Sequence, residues 1–161
     1  MPALALPRVA RVRYRIGDWF AVPLPGGGFA VGLIARANPA GVLLGYFFGP
    51  RRTQLPGLHD LNELTAQDAV LVRKFGHLGL QQGKWPLIGR PGEWDPAAWP
   101  MPVFIRYEEL TGRSFQVFYD EHDPNRVVRE VQVPPGRAEQ GPKDGLMGAG
   151  YTENVLNRLV D

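Results

Sequence analysis

The sequence predicts a mainly β single domain over residues 1–161: a curved antiparallel sheet or a small, partly open barrel, with one short C-terminal helix. Three observations lead there. Between Gly17 and Gly49, three apolar runs rich in Val, Ile, Phe and Trp are separated by Pro25-Gly26-Gly27-Gly28 and by Asn38-Pro39-Ala40-Gly41, the pattern of a β-meander. In the first run Phe20, Val22 and Leu24 alternate with Trp19 and Ala21, so neither face is polar and the sheet needs cover on both sides. At 161 residues the chain is long enough to bury a core without disulfides, and it has no cysteine.

The missing cysteines also exclude a thiol nucleophile and a thiolate metal site, and they fit a reducing compartment. Met1 to Leu6 is too short for the core of a signal peptide, and no apolar run approaches the roughly 20 residues of a spanning helix. A soluble, cytoplasmic protein with no membrane partner is expected. The net charge is only +2, but it is unevenly spread: residues 1–52 hold seven Arg and one Asp, a balance of +6, and the remainder carries −4. Such asymmetry suits a nucleic-acid face or a surface that pairs with a protein.

Taken in order, Arg11, Arg13 and Arg15 alternate with Val12, Tyr14 and Ile16, which predicts a lead-in strand from Arg8 with a basic face. A nucleic-acid reader needs aromatics beside its cations for base stacking. Tyr14 alternates away from them, which argues against that role. Gly26 to Gly28 permit a tight reversal because glycine takes positive φ without a Cβ penalty. Gly32 and Gly45 fall inside strands, where glycine marks a bulge, a bend or a close approach.

Leu58, Leu61 and Leu64 recur at helical spacing, predicting a short helix or 3₁₀ turn near His59 to Leu64. Thr65-x-x-Asp68 has the form of a capping box and favours helix after it, whereas Val-Leu-Val at 70–72 and Gly76 favour strand. A strand over 69–75 is expected. Leu80 to Gly89 reads as a turn leading into another short strand. Arg90 to Pro102 holds Pro91, Pro96, Pro100 and Pro102 around Trp94 and Trp99; lacking donors at the prolines, it forms neither a central strand nor a helix interior.

Strands at 103–107, 115–119 and 127–133 follow, with turns at Thr111-Gly112 and Asp123-Pro124-Asn125. Pro134 to Gly150, rich in Pro, Gly and charge, is expected to be a mobile loop. A closing helix over 151–160 aligns Tyr151, Val155, Leu156, Leu159 and Val160 on one stripe.

Little of this offers chemistry. His59, His77 and His122 lack any two-histidine zinc spacing, and Asp120-Glu-His-Asp123 points its side chains in alternate directions. Ser114 is the only serine and stands outside any Gly-x-Ser-x-Gly elbow. Pro25-Gly-Gly-Gly28 leads into a strand, not a phosphate-binding helix. No catalytic residue, metal site or cofactor is assigned. The large indoles at Trp94 and Trp99 cover a satellite core or anchor a partner, since Trp and Arg concentrate at interaction hot spots.

Gly17-Asp-Trp-Phe-Ala-Val-Pro-Leu, a glycine turn and Phe29-Ala-Val-Gly-Leu-Ile resemble the opening of the immunity protein 26 family of bacterial polymorphic toxin systems. Lys74-Phe-Gly-His-Leu-Gly-Leu80 and Gly83-Lys-Trp-Pro-Leu-Ile-Gly89 are similar to its central portion, so the likeness spans roughly residues 12–107. It implies a cytoplasmic protein that binds and neutralises a cognate toxin by occlusion, without catalysis. On that reading Arg51, Arg52, Trp94 and Trp99 are the expected partner anchors. Two alternatives stand beside it: a nucleic-acid module using Arg11, Arg13 and Arg15, and a metal-dependent hydrolase, because part of the group carries a phosphotriesterase label. Hydrolysis of that kind calls for a metal-activated water, to which the scattered histidines lend little.

Overall fold

The computed structural model describes residues 11–134 and 141–161. The expected meander is present as β1 (Trp19–Pro23), β2 (Phe29–Ala37) and β3 (Val42–Arg52), followed by β4 (Leu71–Gly76), one helical turn α1 (Leu78–Gln81) and β5 (Leu87–Gly89). Then come β6 (Phe104–Glu108), β7 (Arg113–Asp120), β8 (Asp123–Val133), β9 (Leu146–Met147) and α2 (Ala149–Leu159). Six strands form an open sheet in the order β5-β1-β2-β3-β4-β9, antiparallel except for the β4–β9 pair. A second, antiparallel sheet has the order β6-β7-β8. The mainly β expectation holds in its open form, and the chain does not close into a barrel among the described residues.

Strand alternation sorts the large sheet's side chains into two cores. Phe20, Val22, Ile34, Leu43, Phe47 and Phe75 face one side, where Leu80, Trp85, Leu156 and Val160 cover them. Trp19, Val31, Leu33, Leu44, Tyr46 and Phe48 face the other, beneath Leu61 and the small sheet's Phe104 and Val117. Burial of each large apolar side chain contributes on the order of 2 kcal/mol, and here both faces gain it. The first core is centred on four aromatic rings. Phe20 stacks on Trp85 with centroids 5.8 Å apart, and Phe75 lies 5.6 Å from Phe20 and 5.3 Å from Phe47.

The two strand glycines are close-approach positions. Gly32 pairs with Phe20 across β1–β2, and a Cβ on Gly32 would lie 2.3 Å from the Phe20 ring. A Cβ on Gly45 would lie 2.6 Å from Phe75. The rings occupy the space that side chains would otherwise take.

Several expectations need correcting. Residues 11–15 keep the predicted alternation only in part, since Val12 is exposed along with the three arginines and Tyr14 alone is half-buried, and they form no strand. Among the described residues only one backbone bond, Val12 N–H to the Gln81 carbonyl at 3.2 Å, joins them to a neighbouring element, because the edge they approach is a helical turn. Arg8 to Ala10 lie outside the described residues. The capping box at Thr65 and Asp68 is real, but it closes a single 3₁₀ turn, Ala66–Asp68, and the strand then starts at Leu71. The β7–β8 reversal falls at Glu121-His122 and not at Asp123-Pro124-Asn125, which begins β8 with Asp123 paired to Asp120.

In α2 the buried stripe is Thr152, Leu156 and Val160 at four-residue spacing, while Tyr151 and Leu159 are about half exposed. Of the segment expected as a mobile loop, residues 135–140 lie outside the described residues. Residues 141–148 are tied down: Lys143 bridges Ile105 in parallel, and Met147 is buried beside the first core. Asp144 accepts from Tyr119 at 2.6 Å and pairs with Lys74 at 3.1 Å; Lys74 also donates to the Tyr119 hydroxyl. Burial, with Asp144 as acceptor, raises the Tyr119 pKa well above the usual phenolic range.

Gly32→Ala and Gly45→Ala are each expected to lower stability by about 1–3 kcal/mol through overpacking against fixed rings. Gly150→Ala, in α2 with open space around its Cβ, is expected to raise it by roughly 0.5–1 kcal/mol. Urea unfolding with an unchanged slope checks all three.

Candidate functional site

The proline–tryptophan segment is packed over the second core, and a cleft of about 240 Å³ opens where it meets the sheet. The cross-strand pair Trp19 and Leu33 supplies the floor. One wall carries Leu61 and Leu64, from the 3₁₀ turn Leu58–Leu61 and the residues after it, and the other carries Pro91, Trp94, Ala98 and Trp99. Trp99 is half-buried, with its ring edge-on to Trp19, Tyr46 and Phe48 at 5.9, 5.2 and 6.0 Å. Trp94 is also half-buried and rests over Gly17, where an added Cβ would come within 3.3 Å of the indole.

The polar lining consists of Asn62, Thr65, Glu93 and Asp95, so both charged groups at the cleft are carboxylates. Asp95 accepts from the Ala97 N–H at 3.0 Å, capping the 3₁₀ turn Pro96–Ala98. The segments 58–68 and 90–102 carry Asp60, Glu63, Asp68, Glu93 and Asp95 and one cation, Arg90, whose side chain lies beside Trp94 over Gly17. Asp60 and Asp68 accept from the backbone N–H groups of Gly57 and Thr65, bonds that leave their negative charge in place.

An irregular segment has carbonyls that no ladder serves, and buried carbonyls need donors. Arg36, 2 % exposed, supplies them. Its Nη1 donates to the carbonyls of Ala35 and Trp99 at 2.7 and 3.0 Å, and Nη2 reaches Pro96 at 3.4 Å and the Glu121 carboxylate at 2.7 Å. Nε donates to the Glu121 carbonyl at 2.7 Å, so one guanidinium joins β2, the tryptophan segment and the β7–β8 turn. Asn38 adds a bond to Asp123 at 2.8 Å along the same seam. The Tyr46 hydroxyl donates to the Pro100 carbonyl. Burial pushes its pKa up to about 12; the charges of Arg36 and Glu121 act on it in opposite directions, the first lowering and the second raising it.

A register shift explains how Arg36 comes to face this side. Pairing runs from Ile34↔Gly45 to Arg36↔Leu44, so a bulge at Ala35 places Ala35 and Arg36 on one face, which strict alternation forbids. Sequence reading therefore missed Arg36. A signal existed, because it is the sole charged residue between Phe29 and Pro50.

The structure brings Trp94 and Trp99 together at the cleft and leaves Arg51 and Arg52 away from it, at the end of β3. Arg51 is engaged in holding α2: it donates to the carbonyl and side chain of Asn157 at 2.9 and 2.8 Å and pairs with Asp161. Arg52 is half-buried, and its Nε has no partner among the described residues. On the N-terminal strip Tyr14 turns inward, its hydroxyl 2.7 Å from His77 Nδ1, while Arg11, Arg13 and Arg15 stay exposed. His59 and His122 are exposed, and no group of three or more potential ligands converges among the described residues. No described helix is long and apolar enough to cross a membrane.

Arg36→Met keeps the stem's packing but strands the loop carbonyls, and is expected to cost about 3 kcal/mol. Glu121→Gln, at a side chain 61 % exposed that keeps an oxygen to accept from Arg36, is expected to cost under about 1 kcal/mol. Chemical denaturation compares the two, with proteolysis within residues 91–99 as a local readout. Tyr46 adds a pH dependence. Between about pH 10 and pH 12 the unfolded chain loses a phenolic proton that the folded chain retains, so stability falls as pH rises through that window. Tyr46→Phe is expected to start about 1 kcal/mol lower and to decline less steeply there, as measured by denaturation midpoints across the alkaline range.

No curated protein and no solved structure matches the chain. A family model described as immunity protein 26 matches residues 15–116, a stretch that contains β1 to β6 and every residue lining the cleft. Matched over more than half of its length, this chain belongs to the immunity protein 26 family.

Proposed function

We propose that this protein neutralises a cognate bacterial toxin in the cytoplasm by binding and covering it, and that it transforms no substrate itself. The observation that carries the reading is a tryptophan-lined cleft, lying wholly within the family-matched residues, whose tryptophan-bearing wall is held by a buried arginine. Preorganised walls favour binding, because little side-chain and loop freedom is lost when the partner arrives. Half-buried tryptophans beside a depression are the residue type and setting from which hot spots are built.

Of the four anchors expected from the sequence, the reading rests on Trp94 and Trp99. Arg51 already holds α2 and would have to release Asn157 and Asp161 to serve a partner. Arg52 remains as a second, separate contact.

The test is co-expression with the product of the gene immediately upstream, as the candidate toxin. Restored growth of a sensitive host, together with an equimolar complex in gel filtration, is the expected result. Trp94→Ala is expected to weaken protection at an unchanged thermal midpoint. Trp99→Ala removes a ring that touches three other aromatics and is expected to lower stability by about 3 kcal/mol, so it separates binding from packing less cleanly. Protection without a complex would overturn occlusion as the mechanism.

A further inference from the structure

We infer that the cleft between Trp94 and Trp99 receives one large apolar side chain of the partner, flanked by a lysine or arginine that meets Glu93 and Asp95. This rests on the toxin-binding reading and adds the chemistry of the contact. Size decides the first half. Pockets for cofactors and drug-sized ligands start at about 300 Å³, whereas a cavity of about 150 Å³ already holds a benzene ring. At about 240 Å³, floored by Trp19 and Leu33 and walled by Leu61, each 5 % exposed or less, the cleft fits a single Leu, Met or Phe side chain.

Charge decides the second half. Glu93 and Asp95 are exposed, line the cleft and have no ion-pair partner among the described residues. An anionic or purely neutral guest would leave both carboxylates unpaired; a cation beside the apolar anchor is attracted by them and fixed in register. The indole faces of Trp94 and Trp99 also favour a neighbouring cation. A second depression, along Arg11 to Arg15 with His77 and Gln81, is basic and lacks a comparable apolar floor. The chain's charge asymmetry therefore turns its acidic side, not its arginine strip, toward the partner.

The test titrates the full chain with three capped tripeptides, Lys-Leu-Lys, Glu-Leu-Glu and Lys-Gly-Lys, following the tryptophan indole N–H signals by NMR. In parallel, affinity for the candidate toxin is measured. The variants are Glu93→Lys and Ala98→Phe, the latter plugging the cleft from an exposed position, with Arg11→Glu/Arg13→Glu as the control. Saturable shifts of the Trp94 and Trp99 signals are expected with Lys-Leu-Lys alone, abolished by Ala98→Phe, weakened about tenfold by Glu93→Lys and reduced by added salt. Equal response to all three peptides, or shifts gathered on the Arg11–Arg15 strip, overturns the inference. A toxin complex insensitive to Ala98→Phe and Glu93→Lys overturns it while leaving the immunity reading intact. Selective peptide binding without toxin binding sinks the immunity reading and upholds the cleft's chemistry.

Discussion

The large sheet is buried on both faces, and most of the molecule follows from that constraint. A strand that is apolar in both directions cannot end its packing at solvent, so each face needs its own cover. One face takes α2, α1 and Trp85; the other takes the small sheet, two 3₁₀ turns and the proline–tryptophan segment. Crowding is greatest on the helix side, where four rings meet above positions that are kept as glycine. These glycines act by ceding volume to neighbouring rings.

Covering a sheet with an irregular segment creates a hydrogen-bonding problem that regular elements do not have. The segment from Arg90 to Pro102 lacks donors at four prolines and has no strand partner for its carbonyls. Arg36 and Tyr46 meet the need from the sheet beneath, at the cost of bringing a cation to a site that is 2 % exposed. Its charge is matched by Glu121 and by four carbonyl dipoles, so it sits in a polar seam between the two sheets. The cleft is the space left beside that seam.

The β-meander was legible because its signals are local: apolar runs, turn residues between them and alternation within them. Elements that depend on a partner were less so. Arg11 to Arg15 alternate like a strand, but alternation cannot say whether a neighbouring edge exists to pair with. Thr65 and Asp68 close a cap whether one turn or three follow, so the box could not decide what came next. Met147 and Asp144 anchor a stretch whose composition reads as loop, because the residues they engage, Phe75, Lys74 and Tyr119, are distant in sequence. For the site, Trp94 and Trp99 stood out by type. The floor from Trp19 and Leu33, the wall from Leu61 and the bulge that re-aims Arg36 are products of folding and carry no short-range mark.

Arg36 meets the tryptophan segment only through main-chain oxygens, those of Pro96 and Trp99. A clamp of this kind is blind to what the intervening side chains are. Glu93, Asp95 or Ala98 could be exchanged in a descendant without altering the bonds from Arg36 that hold the segment in shape. The outer surface of the segment can thus drift over a scaffold that stays still, much as antibody loops diversify on a fixed framework.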